Sequence, residues 1–257
     1  MKALIQQFLH DIEEKHGVRI LYACESGSRA WGFESFNSDY DVRFIYVRPL
    51  DWYLSVADKR DVIETPMDRN LDINGWDIRK ALCLLRKSNS VLLEWLASPI
   101  KYREDHSAVE SPSELGRKAF IPMLSCRHYL GMAKRSMAGY QADEKVRMKS
   151  YLYAVRPVLC CRWIVMYQRP APMPMGDLMA EFLPDQRDGI RQYLDHMIKI
   201  KKESDEEVRV ERSPLLESYL LSQLEELECL LPGGEPQVGI EEFDRFFRSI
   251  VKSGNAL

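Results

Sequence analysis

The six cysteines, at positions 24, 83, 126, 160, 161 and 229, include no CxxC pair. Six thiols scattered over 257 residues do not make the disulfide framework of a small secreted domain, so a reducing, cytoplasmic compartment is expected. Long apolar runs are missing as well. The N-terminus leads through Gln6, Gln7, His10, Asp11 and Glu13 with no apolar core of a signal peptide. The most apolar stretch, Tyr151 to Tyr167, is interrupted by Arg156, Pro157 and Arg162, which argues against a membrane span. Glycine and proline stand at 13 each, far below fibrous or low-complexity usage. Charge of one sign is also lacking: 36 Lys and Arg against 39 Asp and Glu leave −3. There is no bulk positive field for a polyanion, so any nucleic-acid partner must be met by a local patch.

What is present is the composition of a globular chain, 46% hydrophobic and 29% charged, long enough for one to two domains. The first part alternates helix and strand signals. Ile5, Phe8, Leu9 and Ile12 recur at helical spacing up to Gly17, and RILYAC (19–24), YDVRFIYV (40–47) and LDINGWD (71–77) read as strands. IRKALCLLRK (78–87) places Ala81, Leu82 and Leu85 on one helix face. From Ser113 the pattern turns helical, with segments 113–130, 146–168, 185–202, 215–231 and 241–252 separated by Pro and Gly and no convincing strand. The expected fold is α+β: an α/β domain over 1–110 with a mixed sheet, then an all-helical domain over 111–257.

Charge is uneven along the second domain. Residues 127–169 carry nine basic side chains against two acidic ones, Asp143 and Glu144, whereas 200–257 carries seven against thirteen. Taken singly these charges fit solvated helix faces; as a block, 127–169 is the candidate contact for a polyanion. The acidic, leucine-rich 215–231 suits packing within the domain or against a partner subunit.

The most informative segment is ESGSRAWGFESFNSDYDVR (25–43). Gly27-Ser28 follows a buried strand and precedes a helical turn, so free backbone N–H groups, close approach at Gly27 and the Ser28 hydroxyl make a candidate phosphate seat. Ten residues later, Asp39 and Asp41 enter a strand two apart and therefore share one face, with Tyr40 on the other. Two carboxylates so close resist joint ionisation, and hard oxygen donors suit Mg²⁺ or Mn²⁺ between them.

Together, Gly-Ser, ten residues and Asp-Tyr-Asp resemble the signature of the DNA polymerase β-type nucleotidyltransferase superfamily. Further segments, ESGSRAWG (25–32), SDYDVR (38–43), GWDIRKAL (75–82), SNSVLLEWLASP (88–99) and KSYLYAVRPVL (149–159), are similar to nucleotidyltransferases that occur with RNA ligase and archease in RNA-repair gene clusters. The similarity spans about residues 22–180. It implies a third carboxylate on a neighbouring strand, for which Asp77 and Asp72 compete. Asp77, at the strand end, is favoured, although it would also cap the next helix.

The resemblance implies transfer of a nucleoside monophosphate from an NTP such as ATP to a hydroxyl, with two ions held by Asp39, Asp41 and Asp77 and pyrophosphate released. Gly27 and Ser28 would grip the terminal phosphates without a general-base histidine. Arg29 is a further candidate for the triphosphate. Lys149, Tyr153 and Arg156 share one helix face and could hold a triphosphate and stack a base, unless that face is simply solvated. An RNA end is the expected acceptor, with RNA-repair proteins as candidate partners. Transfer to a protein or small molecule, or a non-catalytic nucleotide-binding regulator, are the alternatives.

Overall fold

The structure is a computed structural model that describes residues 1–67, 70–138, 145–184, 189–204 and 208–253, with the backbone alone over 106–111. The chain divides into two compact units, one of Met1–Gly27, Asp39–Phe120 and Glu235–Leu257, the other of Ser28–Ser38 and Ile121–Gly234.

The first unit is built on a five-stranded mixed sheet. Its elements are α1 (Lys2–His16), β1 (Arg19–Ser26), β2 (Tyr40–Val47), α3 (Leu50–Tyr53), β3 (Val62–Glu64), β4 (Leu71–Asp77), α4 (Ile78–Arg86), α5 (Ser90–Leu96), β5 (Lys101–Glu104), α6 (His106–Lys118) and α12 (Ile240–Ser253). The short helix α2 (Gly27–Trp31) links β1 to the second unit. The strand order is β3-β4-β2-β1-β5, with β2 and β4 parallel and the other pairs antiparallel. Helix α1 ends at Gly17, whose left-handed φ of 58° lets its N–H reach the Glu13 carbonyl. Ile5, Leu9 and Ile12 of α1 are buried in one cluster with Ile20, Val42, Phe44, Leu71 and Ile73 of the sheet. Burying each such side chain contributes about 1.5–3 kcal/mol. On the other sheet face half-buried Trp76 of β4 stacks on Trp95 of α5 at 4.0 Å, and Trp95 is a core residue.

The second unit is helical, with α7 (Pro122–Met137), α8 (Met148–Tyr167), α9 (Met175–Phe182), α10 (Ile190–Glu203) and α11 (Pro214–Cys229). Helix α8 is buried on nearly every side, which suits a central core helix, and it runs through Pro157 without ending there. The loop 28–38 belongs to this unit: Trp31 and Phe33 meet the Tyr153 ring at 5.1 and 6.2 Å.

Three expectations need correction. A two-stranded ribbon, β6 (Lys145–Arg147) with β7 (Arg209–Glu211), stands in the part expected to be all helix. Strands of three residues are too short to show a period of two. The helix expected over 113–130 is two helices, because Pro122 cannot supply the N–H that would continue α6 and instead sits in the first turn of α7. The boundary expected at 110 is drawn differently as well. Helix α6 stays with the sheet unit, and α12 returns to it because Phe243, Ile250 and Val251 are buried in contact with α4 and α6. Residues 139–144, including Asp143 and Glu144 of the basic segment, and 185–188, the start of one expected helix, lie outside the described residues.

Candidate active site

The end of β1 sets the geometry. Glu25 and Ser26 pair with Val42 and Asp41 of β2, and the chain then turns at Gly27 with φ +62°. A Cβ added at Gly27 would stand 2.2 Å from Asp41 Oδ2. Glycine is therefore required twice here, by the left-handed backbone and by the carboxylate against it.

Asp41 is held from its backbone and its side chain. Its N–H donates to Glu25 Oε1 at 2.8 Å, and the other oxygen of that fully buried carboxylate accepts from the Tyr102 hydroxyl. Two residues further along the strand, Arg43 shares the face of Asp41. Its Nη2 donates to Asp41 Oδ1 at 3.0 Å and to Asp72 Oδ2 at 2.6 Å, while Nη1 donates to the Val42 and Asp72 carbonyls. Asn74 Nδ2 donates to the second Asp72 oxygen at 2.6 Å. Because β2 and β4 are parallel with Asp41 opposite Asp72, two carboxylates from adjacent strands converge on one cation. Asp39 lies one residue before β2, partly exposed.

Asp77 is not part of this group. It lies opposite Tyr46, five residues along the sheet from Asp41, or roughly 16 Å away. Its side chain is fully buried, accepting from the Arg79 N–H at 2.8 Å as the cap of α4 and from the Tyr53 hydroxyl at 2.8 Å. Burial pushes its pKa above the ordinary carboxylate value, against the hydrogen bonds from Tyr53 and Arg79 and the nearby Arg79 and Arg48 guanidiniums. The third carboxylate beside Asp41 is Asp72. The expectation of Asp77 rests on its place at the strand end, but strand register, not strand end, decides which side chains meet.

In the second unit Ser28 is buried, its hydroxyl 3.4 Å from that of Ser38, which in turn accepts from the Ser35 N–H at 2.9 Å. Arg29 Nη2 donates to the Ser38 carbonyl at 2.6 Å and so ties the loop to itself. Lys149 sits 5.5 Å over the Tyr153 ring. Arg156 is 1% exposed, gives Nε and Nη2 to the Met173 carbonyl and lies 4.4 Å over Trp31. Its guanidinium is consumed in the interior, which corrects its expected place on a ligand-binding face with Lys149 and Tyr153.

Glu25, Arg43 and Asn74 are site residues that motif reading passed over. Each carries a legible mark: a carboxylate inside an apolar strand for Glu25, and two-residue spacing from Asp41 and Asp72 for Arg43 and Asn74. Among the described residues no three His, Cys, Asp or Glu side chains are grouped closely enough to hold a metal as they stand. No helix among them is long and apolar enough to cross a membrane.

A Gly-Ser turn after a central strand, a DxD strand beside it and a carboxylate on the parallel neighbour describe a nucleotidyltransferase-like α+β protein. The model of the RNA repair pathway DNA polymerase beta family matches residues 1–249, and the chain belongs to that family. It is 40% identical over 227 residues to an uncharacterized protein of Bacillus subtilis strain 168, YcgL, covering 88% of this chain and 86% of that one. A solved nucleotidyltransferase-like protein from Exiguobacterium sibiricum 255-15 aligns over 97% of this chain and 80% of its own, at 11% identity and a TM-score of 0.33.

Proposed function

We propose that the chain transfers a nucleoside monophosphate from an NTP to a hydroxyl acceptor, the end of an RNA, with release of pyrophosphate. The observation that carries this reading is the convergence of Asp41 and Asp72 on a single cation beside the Gly27 turn. Asp41 and Asp72 bring carboxylate oxygens together, with Asp39 two residues before Asp41 in the chain, and carboxylate oxygens are the hard donors that Mg²⁺ or Mn²⁺ takes. When bound, the ions would supply charge for the triphosphate and lower the pKa of the acceptor hydroxyl.

The chain's own groups do the remainder. Asp39, Asp41 and Asp72 would hold the ions, and Glu25 fixes the Asp41 backbone so that its carboxylate cannot drift. The bare Gly27 turn lets the Asp41 carboxylate lie against the backbone where any side chain would displace it, and Ser28, next in the chain, is assigned the phosphate donor. Arg43 is the positive charge that the two neighbouring carboxylates share. Lys149 and Tyr153 remain candidates for nucleotide contacts, with the basic segment 127–169 for RNA and RNA-repair proteins as partners.

The test is incubation with each α-labelled NTP, Mg²⁺ or Mn²⁺ and separate pools of RNA, proteins and small hydroxyl acceptors. Label should pass to RNA with pyrophosphate release, and Asp39→Asn with Asp41→Asn should abolish it. Label passing to protein or to a small molecule would replace RNA as acceptor. Release by the double variant at the wild-type rate would overturn the reading.

A further inference from the structure

The opposite end of the same sheet unit carries a second assembly of charge and aromatics. Beyond β2 the half-buried Trp52 of α3 has three cations around its ring: Arg48 at 5.1 Å, Lys59 at 5.6 Å and Arg79 at 5.7 Å from its centroid. None of the three forms an ion pair with a described carboxylate. Arg48 donates to the His16 carbonyl, and Lys59 and Arg79 are exposed. The charge of Arg48 also registers on His16, whose pKa burial lowers with help from Lys15 and Arg48.

The assembly is rigidly based. The Tyr53 hydroxyl donates to buried Asp77 at 2.8 Å and accepts from the Arg48 N–H at 3.1 Å, while its ring meets Trp52 at 5.0 Å and Phe247 of α12 at 5.1 Å. Continuous with it through Arg79 and Phe247 is a cavity of about 230 Å³ between α4 and α12. Leu82, Phe243 and Phe247 give it an apolar lining, and Arg79 and Arg86 flank it. Acidic groups nearby are buried Asp77, which the Arg79 and Arg48 guanidiniums approach, Asp51 and Asp58, both exposed, Asp61 paired with Lys80 and Asp244 paired with Arg248. Lys59 and Arg79, exposed and in no ion pair with a described carboxylate, are the cations an outside anion can reach.

We propose that this surface docks a single-stranded stretch of RNA, with a base against Trp52 or in the α4/α12 cavity and backbone phosphates on Lys59, Arg79 and Arg86. Aromatic faces beside unneutralised Lys and Arg are the chemistry that holds single-stranded nucleic acid without reading its sequence. Seven residues separate Asp41 from Arg48 along β2, roughly 23 Å, so this is not a subsite of the carboxylate centre. An RNA held here is anchored away from the reacting end. The inference rests on RNA being the acceptor in the function proposed above.

Binding is measured on the full-length protein in EDTA without NTP, so that the result does not depend on catalysis. The probe is a fluorescein-labelled single-stranded RNA of about 20 nucleotides, titrated at roughly 50 to 200 mM KCl. Trp52→Ala should weaken binding about 5- to 100-fold. Lys59→Gln with Arg79→Gln should lower the slope of log affinity against log salt by about 1.4. Both variants should melt as cooperatively as wild type, and both should keep transfer to a small hydroxyl acceptor if the enzyme has that activity. Wild-type affinity and salt slope in both variants would overturn the proposal, as would binding of an acidic peptide in preference to RNA. Loss of transfer to every acceptor with RNA binding intact would instead sink the enzymatic reading and leave the docking surface standing.

Discussion

Strand β4 carries an aspartate at each end, and the two have opposite fates. Asp72 is one-third exposed, lies opposite Asp41 and shares a guanidinium with it. Asp77 is sealed in the interior, with each carboxylate oxygen satisfied by a neutral donor. Carboxylates gathered around a cation at a solvent edge can exchange that cation for another. A buried carboxylate that caps a helix and anchors a tyrosine stabilises one conformation and has nothing left to offer a ligand. What separates them is the neighbouring strand, not their residue type.

The comparison can be broken most severely at the exposed end. Asp41→Asn or Asp72→Asn should reduce nucleotidyl transfer by about 10³-fold with little change in melting temperature. Asp77→Ala should do the reverse, costing about 2–3 kcal/mol of stability by removing the α4 cap and the Tyr53 acceptor, while the folded fraction stays active within a few-fold. Calorimetry beside a pyrophosphate-release assay reads both.

Gly27→Ala probes the contact between the turn and Asp41. The new methyl must displace the carboxylate, and transfer should fall about 100-fold because a shift of an ångström at a reacting group has that effect. Activity within threefold of wild type would show that Asp41 can move without consequence.

Glu25 separates positioning from charge. Glu25→Ala strips the acceptor from the Asp41 N–H and should lower kcat about tenfold or more, whereas Glu25→Gln keeps an oxygen there and should restore most of it. Equal losses in both variants would point to the charge of Glu25 instead.

The smallest effect belongs to the buried end. Burial raises the pKa of Asp77 above its unfolded value, so the folded protein holds that proton more firmly. Its contribution is full below the unfolded carboxylate pKa of about 4 and is lost as pH rises through the folded one. Asp77→Asn cannot ionise, so its stability relative to wild type should improve with rising pH in urea melts taken across that range. A difference constant with pH would contradict the assignment.

Much of this was readable in the chain before any fold. Apolar runs of six to eight residues placed β1, β2 and β4, and Gly-Ser with Asp-Tyr-Asp marked one end of β2 as the chemical edge. Three things were not readable. The pairing of Asp41 with Asp72 depends on a parallel register that leaves no trace in either strand alone. The interior position of Arg156 depends on a carbonyl seventeen residues away, at Met173. The return of α12 to the first unit depends on apolar faces of α4 and α6 that look no different from those of any other amphipathic helix.

The central claim is that Asp72, and not Asp77, completes the carboxylate centre with Asp39 and Asp41. Mn²⁺ affinity, read by electron paramagnetic resonance of the free ion with wild type, Asp72→Asn and Asp77→Asn in parallel, tests it most directly. The account predicts binding weakened about tenfold or more in Asp72→Asn and unchanged in Asp77→Asn. Wild-type affinity in Asp72→Asn together with its loss in a folded Asp77→Asn would contradict it.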